Sequence, residues 1–165
     1  FLVFLRPFKV GEVVSAGGVT GTVEAIGLFG TVINTPDNVL TIVGNNKVFL
    51  DTIQNFSANP YRRVDLSATI NNVLDLQEAI RILSDRLTSV PNVLATPAPD
   101  VDVLQIAPTG SVLCVRPYCR NEHYWQVYFA TNRMIREAFG EAGLLTSGPP
   151  TAASGSAPPV AALTR

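Results

Sequence analysis

The fold of this chain is decided by two neighbouring stretches, Pro7-Phe8-Lys9-Val10-Gly11-Glu12 and Gly17-Gly18-Val19-Thr20-Gly21-Thr22-Val23-Glu24-Ala25-Ile26. They place glycines at turn-like offsets among short apolar segments, a pattern typical of a small β-barrel with bent strands. We expect Gly11, Gly21 and Gly27 where a strand bends or approaches another backbone closely. The two stretches therefore predict an all-β unit.

This β-domain is predicted to extend over residues 8–57, which are rich in glycine and valine and show no stretch of helical period. Thr35-Pro36-Asp37-Asn38 indicates a turn, and Ile42-Val43-Gly44-Asn45 indicates a strand that runs into a loop. Five strands are predicted, the first around Val10, Val13 and Val14 and the others over residues 22–28, 31–35, 39–43 and 49–53.

Residues 58–63 form a proline-containing linker, and a second domain is predicted over residues 64–143. It opens with the apolar alternation of Val64, Leu66, Ala68 and Ile70, which predicts a half-buried strand. Asp75 and Glu78 then have the spacing of a capping box at the start of a helix that ends before Pro91. The apolar residues at helical spacing are Leu76, Ala79, Ile80, Leu83, Leu87 and Val90.

The rest of the second domain is predicted as two strands, over residues 101–106 and 112–118, and a helix that starts near Tyr124 and ends near Gly143 as its C-cap. The order βαββα favours a ferredoxin-like open sandwich with both helices on one face of the sheet. The predicted buried face of the second helix consists of Val127, Tyr128, Met134, Ile135, Ala138 and Phe139.

Composition limits the classes of function. The 165 residues are 47% hydrophobic, which suffices for buried cores, and the net charge of −1 predicts no general attraction to nucleic acid. The apolar run over residues 1–5 is much shorter than the roughly 20 residues of a spanning helix. Residues 144–165 are rich in Pro, Ala, Ser and Gly and are predicted to be disordered.

Sites of enzymatic or metal chemistry are not predicted. The glycines near position 18 lack the Lys-Ser or Lys-Thr of a phosphate-binding loop, and His123 is the only histidine. Asp100 and Asp102 resemble a metal-binding pair without a third ligand. Arg62-Arg63 beside Tyr61 is open to two interpretations, an interdomain ion-pair site or a phosphate- or RNA-binding site.

Several of these motifs resemble one known family. Pro7, Phe8 and Gly11 match a Pro-Phe-x-x-Gly segment, and Gly18 and Gly21 match a Gly-x-x-Gly-x-Val pattern. Further matches are Thr35 with Asp37, Ile42 with Asn45, the Asn55-Phe56-Ser57 segment, Arg116 with Tyr118, and Tyr124-Trp125. Together they resemble the cytoplasmic C-terminal region of the small-conductance mechanosensitive ion channel (MscS-like) family, whose β-domain is an Sm-like or SH3-like barrel.

The resemblance implies a function. Residues 1–7 would be the end of the pore-lining helix, and the two domains would form the cytoplasmic vestibule of a homo-oligomeric, heptameric channel in the cell inner membrane, anchored by helices upstream. Such a channel opens under membrane tension and releases ions and small solutes on osmotic downshock, with no cofactor and no nucleic acid partner. Hypothetical charges near its portals are Lys9, Glu12, Arg62, Arg63 and Asp65. The alternative is an Sm-like ring that binds RNA.

Overall fold

A computed structural model describes residues 6–71 and 75–142 of the chain. They divide into two compact units, the first ending at Pro60 and the second beginning at Tyr61. Residues 1–5 of the predicted helix end, the predicted C-cap at Gly143 and the whole tail over residues 144–165 lie outside the described residues.

The first unit is a five-stranded antiparallel sheet with one short helix. Along the chain its elements are β1 (Val13–Ala16), β2 (Val19–Ile26), β3 (Gly30–Asn34), β4 (Leu40–Gly44), α1 (Asn45–Leu50) and β5 (Gln54–Asn55). The strands lie in the order β4-β3-β2-β1-β5, so β4 and β5 form the two edges. A bulge between Val23 and Ala25 bends β2 against β3, as a strongly curved sheet requires.

The core of the first unit follows from period-two alternation along its strands. On β1 Val14 and Ala16 are buried, and they meet Val23, Ile33 and Val43 from the neighbouring strands. Phe8 and Val48 complete this cluster from outside the sheet. Because all seven side chains are apolar, hydrophobic burial stabilises the unit.

The predicted fifth strand over residues 49–53 is wrong. The chain there leaves β4 into α1, and β5 begins only at Gln54. The helix buries Val48 alone and leaves Leu50 87% exposed. A short apolar segment of this kind can form either a helix or a strand, and its sequence does not show which. Asn45, predicted to open a loop, is instead the first residue of α1. Val10, assigned to the first strand, lies before β1 and is exposed.

The second unit contains a three-stranded sheet, a two-stranded ladder and two long helices. Its elements are β6 (Arg62–Arg63), β7 (Leu66–Ile70), α2 (Leu76–Leu87), β8 (Asp100–Ala107), β9 (Gly110–Arg116), β10 (Tyr118–Cys119), a 3₁₀ turn (Asn121–His123) and α3 (Tyr124–Glu141). The antiparallel sheet has the order β7-β9-β8, and β6 pairs with β10. Apart from the two-residue strands β6 and β10, the elements follow the predicted order βαββα. The strand predicted over residues 112–118 is interrupted at Pro117, which has no N–H for a ladder.

Both long helices cover the same face of the sheet. Ala68 on β7, Leu113 on β9 and the partly buried Val103 on β8 are register neighbours that join one core with α2 and α3. Of the predicted buried face of α3, Tyr128 is only half-buried. Thr131, which was not predicted, is fully buried there.

The start of α2 confirms half of the predicted capping box. The Asp75 carboxylate accepts a hydrogen bond from the Gln77 backbone N–H at 2.9 Å, which makes Asp75 the N-cap. The predicted reciprocal arm is wrong, because the Glu78 carboxylate instead binds the Arg81 guanidinium at 2.6 Å and 2.8 Å. The i, i+3 ion pair with Arg81 occupies the Glu78 carboxylate, which the capping box would need for its reciprocal hydrogen bond.

We expect the substitution Gly21→Ala to destabilise the first unit, because a Cβ at this position would lie 2.2 Å from the Asn34 carbonyl oxygen on β3. The two backbones must then separate, and overpacking of this kind costs about 1–3 kcal/mol. Hydrogen exchange of the β2 and β3 amides measures the loss in this unit alone.

Gly44→Ala is the matched control, because a Cβ at Gly44 would meet nothing within 4 Å. Its β2 and β3 amides should exchange at the parent rate. Equal exchange rates in the Gly21→Ala variant and the parent would contradict the close approach of β2 and β3.

Candidate functional site

One side chain joins the beginning of the first unit to its end. The Asn55 amide nitrogen donates to the Pro7 carbonyl at 3.2 Å and to the Glu12 carboxylate at 2.8 Å. Its amide oxygen accepts hydrogen bonds from the backbone N–H groups of Ser57 and Ala58, both at 3.0 Å. We call this set of five residues the Asn55 clamp. It fixes the segment before β1 to the segment after β5.

Two of the seven predicted motif residues, Pro7 and Asn55, belong to this clamp, and Phe8 and Gly11 lie beside it in sequence. Pro7 supplies a carbonyl, and the neighbouring Phe8 ring is buried in the core. Gly11 has a φ of +92°, which residues other than glycine rarely adopt. Its backbone N–H donates to the Val23 carbonyl at 2.8 Å. The motif that begins at Pro7 is therefore a turn that is hydrogen-bonded to β2. Gly18, with a φ of +79°, lies apart from it in the turn between β1 and β2.

A second amide, that of Asn45, holds the hairpin between β2 and β3. Its nitrogen donates to the carbonyls of Gly27 at 2.8 Å and Leu28 at 3.0 Å, and its oxygen accepts from the Thr31 hydroxyl at 2.8 Å. The Asn45 backbone N–H also donates to the Phe29 carbonyl at 2.9 Å. We call this set the Asn45 clamp. With their backbone held, Leu28 and Phe29 are 82% and 84% exposed.

The sequence identified Asn45 as a motif residue but missed its partners. Thr31 is fully buried, and its hydroxyl hydrogen-bonds to a side chain fourteen positions later in the chain. The only available signal was a threonine at an inward position of a predicted strand, because a hydroxyl there requires a hydrogen-bond partner.

Two of the predicted portal charges of the second unit, Arg63 and Asp65, belong to a chain of ion pairs. The Arg63 guanidinium lies 2.7 Å from the Asp65 carboxylate, and this hydrogen bond raises the pKa of Arg63. Asp65 lies 3.5 Å from Arg116, which in turn lies 3.9 Å from Asp100. Asp100 is therefore an ion-pair partner on β8. Side chains of Arg63 and Asp65 are about half exposed and face solvent.

Arg62 occupies a different environment from its neighbour. Its guanidinium carbon lies 3.8 Å from the centroid of the Tyr124 ring, and one nitrogen donates to the Asn121 side chain at 3.2 Å. Burial lowers the pKa of Arg62 from its usual value and raises that of the Tyr124 hydroxyl. Since successive strand residues point to opposite sides, β6 places Arg62 against α3 and Arg63 in solvent.

The described residues show no cluster of three metal-ligating side chains, and none of their helices is long and apolar enough to cross a membrane. Cys114 and Cys119 are buried free thiols, and burial raises the pKa of Cys119 to about 11. At neutral pH that thiol is protonated and therefore a poor nucleophile. His123 lies in the short 3₁₀ turn before α3, 3.6 Å from the Glu122 carboxylate.

A groove of about 400 Å³ runs between the end of α2 and the middle of α3. Its polar lining includes Arg86, Ser89, Arg133 and Glu137. Arg86 is paired with Glu141 near the end of α3, so its charge is already compensated. These side chains include no histidine or cysteine. We therefore interpret the groove as a surface depression between two packed helices.

We expect Asn45→Ala to destabilise the first unit by about 1–3 kcal/mol, the usual cost of leaving a buried hydroxyl without a partner. Adding Thr31→Val removes that hydroxyl, so the double variant should recover part of the loss. Thermal unfolding of the two single variants and the double variant gives the coupling. Asn46→Ala, at an exposed neighbour on α1, is the control and should leave the transition unchanged. Strictly additive effects would show that the two side chains do not interact.

Two family models match the chain in sequence. The model described as "Mechanosensitive ion channel, beta-domain" matches residues 1–58, and the one described as "Mechanosensitive ion channel MscS, C-terminal" matches residues 65–145. The two matches together cover both described units.

Curated relatives agree with these matches. The chain is 35% identical over 128 residues to a small-conductance mechanosensitive channel of Edwardsiella ictaluri, a match that covers 78% of this chain and 45% of the relative. It is 30% identical over 127 residues to an uncharacterised MscS family protein of Archaeoglobus fulgidus, with 77% and 45% covered. The chain thus spans less than half the length of these relatives.

Two solved structures share its fold. The closed-state crystal structure of Helicobacter pylori MscS matches with a TM-score of 0.81 at 18% identity, over 94% of this chain and 62% of that one. Arabidopsis thaliana MSL1 matches with a TM-score of 0.71 at 19% identity, over 88% and 56%. At these identities the likeness shows a common β-rich fold with a C-terminal helix. The chain therefore belongs to the mechanosensitive ion channel family, of which it carries the β-domain and the MscS C-terminal domain.

Proposed function

We propose that this chain forms the cytoplasmic vestibule of a mechanosensitive ion channel subunit, where it contributes to oligomer assembly and to the passage of ions and small solutes on osmotic downshock. One observation carries the proposal. The β-domain and C-terminal domain models match in the same order as the two units, and a named channel is 35% identical over 78% of the chain. No enzymatic role is proposed.

The finer description of the fold belongs to the same proposal. We assign residues 8–57 to an Sm-like barrel, supported by the five antiparallel strands and by the bulge in β2. Residues 64–143 are assigned to a ferredoxin-like sandwich, supported by the order βαββα and by two helices on one sheet face. Residues 58–63 serve as the linker and residues 144–165 as a disordered tail.

The proposed assembly is a homo-heptamer in the cell inner membrane, with this portion on the cytoplasmic side and membrane helices in the part of the protein before it. A ring of such subunits encloses a wide aqueous cavity, which passes hydrated ions and holds back macromolecules. The charges that line its openings then bias the permeation of cations against anions.

We propose portal-lining positions for Arg62, Arg63 and Asp65, with Lys9 and Glu12 as further charges near the portals. The half-exposed side chains of Arg63 and Asp65 support this role best, because solvent-facing charges act on passing ions. Arg62 is stacked on Tyr124, so its main effect is on structure. The Glu12 carboxylate is engaged by Asn55 and by the Lys9 backbone N–H at 2.8 Å.

The alternative of an RNA-binding Sm-like ring has less support. The Edwardsiella ictaluri relative is named a mechanosensitive channel. The chain carries 12 basic and 13 acidic residues, which gives no basic excess for phosphate contacts. Fluorescence titration with single-stranded RNA distinguishes the two functions. Binding that weakens steeply with salt would favour the alternative.

The proposed function predicts that this chain can replace the matching region of the Edwardsiella ictaluri channel. In a bacterial strain that lacks mechanosensitive channels, the chimera should restore survival of osmotic downshock and give tension-activated currents in patch clamp. The parent channel is the positive control and the vector alone is the negative control. A chimera that reaches the membrane at the parent level but stays silent under tension would contradict the proposal.

In the same chimera, Arg63→Glu should shift the ion preference toward cations, because it turns a solvent-facing positive charge into a negative one beside Asp65. The shift in reversal potential under a salt gradient measures it. Arg136→Glu, an exposed position on α3 with the same charge change, is the control and should shift the potential less. Equal shifts in reversal potential for the two variants, or no shift for Arg63→Glu, would contradict the portal assignment of Arg63.

A further inference from the structure

The buried face of residues 62–70 begins with a charged side chain, that of Arg62. The other members of this face are apolar and at most 9% exposed, namely Val64, Leu66, Ala68 and Ile70. Arg63 and Asp65 alternate with them and are exposed. A cation at the end of an apolar face requires compensating contacts, because its desolvation costs free energy.

Two contacts hold the Arg62 side chain on the second unit. Its guanidinium carbon lies 3.8 Å from the centroid of the Tyr124 ring in the first turn of α3, and one nitrogen donates to the Asn121 side chain at 3.2 Å. Tyr124 is only 6% exposed, so its ring is a fixed support. Cation–π contacts are stronger when they are desolvated, and Arg62 is partly buried.

The strand β6 has little else to hold it. Its ladder with β10 consists of two residue pairs, Arg62 with Cys119 and Arg63 with Tyr118. The four residues before it, at positions 58–61, are exposed. Segments with short ladders and few buried contacts open locally at low cost in free energy. The stack of Arg62 on Tyr124 is therefore a major part of what fixes β6.

The position of β6 determines where two exposed charges lie. Successive side chains of a strand point to opposite sides, so anchoring Arg62 inward directs Arg63 outward. The side chains of Arg63 and Asp65 are 46% and 60% exposed, and their guanidinium and carboxylate groups are paired at 2.7 Å. This exposed pair contributes little to stability itself, so it depends on the backbone beneath it for its place.

We propose that Arg62 is a positioning residue, whose stack on Tyr124 fixes β6 and thereby the place of the charges of Arg63 and Asp65. The inference rests on the proposed portal role of those two charges, and it gives Arg62 an indirect part in ion preference. Exposed charges act on passing ions through solvent, whereas the Arg62 guanidinium is covered on one side by the Tyr124 ring.

The first test uses Cys119 as a reporter of β6. Cys119 is fully buried and is the direct ladder partner of Arg62, so the two side chains lie on the same side of the ladder. In the full 165-residue chain with Cys114→Ala, it is the single thiol. Arg62→Ala should raise its rate of reaction with an aromatic disulfide reagent at least about tenfold, because two contacts that hold β6 are lost.

Arg63→Ala is the matched control, because it removes the same charge from the adjacent position and breaks an exposed ion pair. Its Cys119 should react at close to the parent rate. Arg62→Lys keeps the charge without the planar guanidinium, so it should give an intermediate rate even if Arg62→Ala fails to fold. Circular dichroism reports folding. Parent rates in the folded Arg62 variants would overturn the inference.

The second test asks whether Arg62 acts through Arg63, in the chimera with the Edwardsiella ictaluri channel. The shift in reversal potential caused by Arg63→Glu is measured in the parent and in an Arg62→Ala background. It should fall to about half or less in the latter, because position 63 is no longer held in place. An Arg136→Ala background loses the same charge from an exposed position of α3 and should keep the full shift.

Additive effects of Arg62→Ala and Arg63→Glu would overturn the inference, while the portal role of Arg63 would stand. Absence of any shift for Arg63→Glu in the parent background would instead contradict the portal assignment, and the inference with it. Tension-activated current and survival of osmotic downshock in the chimera are separate readouts. The inference can therefore fail while the channel function holds.

Discussion

The first unit depends on the side-chain amide of Asn55. The last strand of the unit, β5, is only two residues long and contributes few ladder hydrogen bonds of its own. The amide bonds the Pro7 carbonyl and the Glu12 carboxylate on one side and two backbone N–H groups on the other. The side chain of Asn55 therefore bonds a carbonyl that is 48 positions earlier in the sequence, and it links the segment before β1 to the segment after β5.

Each motif residue has a specific role in the backbone structure of the first unit. Gly21 permits β2 and β3 to approach, Gly11 adopts a left-handed φ, and the amides of Asn45 and Asn55 bind carbonyls and N–H groups that no strand satisfies. These residues therefore support the backbone of the first unit. The signature thus identifies the fold securely, and function is assigned through the relatives that share it.

Most of the fold was predictable because it rests on local patterns. The alternation of β7, the spacing of α2 and the turn before β9 each occur within one segment and were found within a few residues of their positions. The helix α1 was missed because only one of its six residues is buried. The pairing of β6 with β10 joins two-residue strands more than fifty positions apart, which no local period indicates. The candidate site shows the same limit, since the Asn45 partners and the stack of Arg62 on Tyr124 depend on tertiary structure.

The two neighbouring arginines of β6 show how a permeation property can vary while the fold is kept. Arg62 is desolvated against Tyr124, so removing its charge would leave a packed ring and the Asn121 side chain without their partner. Arg63 and Asp65 form a solvent-exposed pair, and such pairs contribute only about 0–1 kcal/mol to stability. In the proposed vestibule, selection can therefore change the exposed charges at small cost in stability, while the buried arginine is constrained by packing.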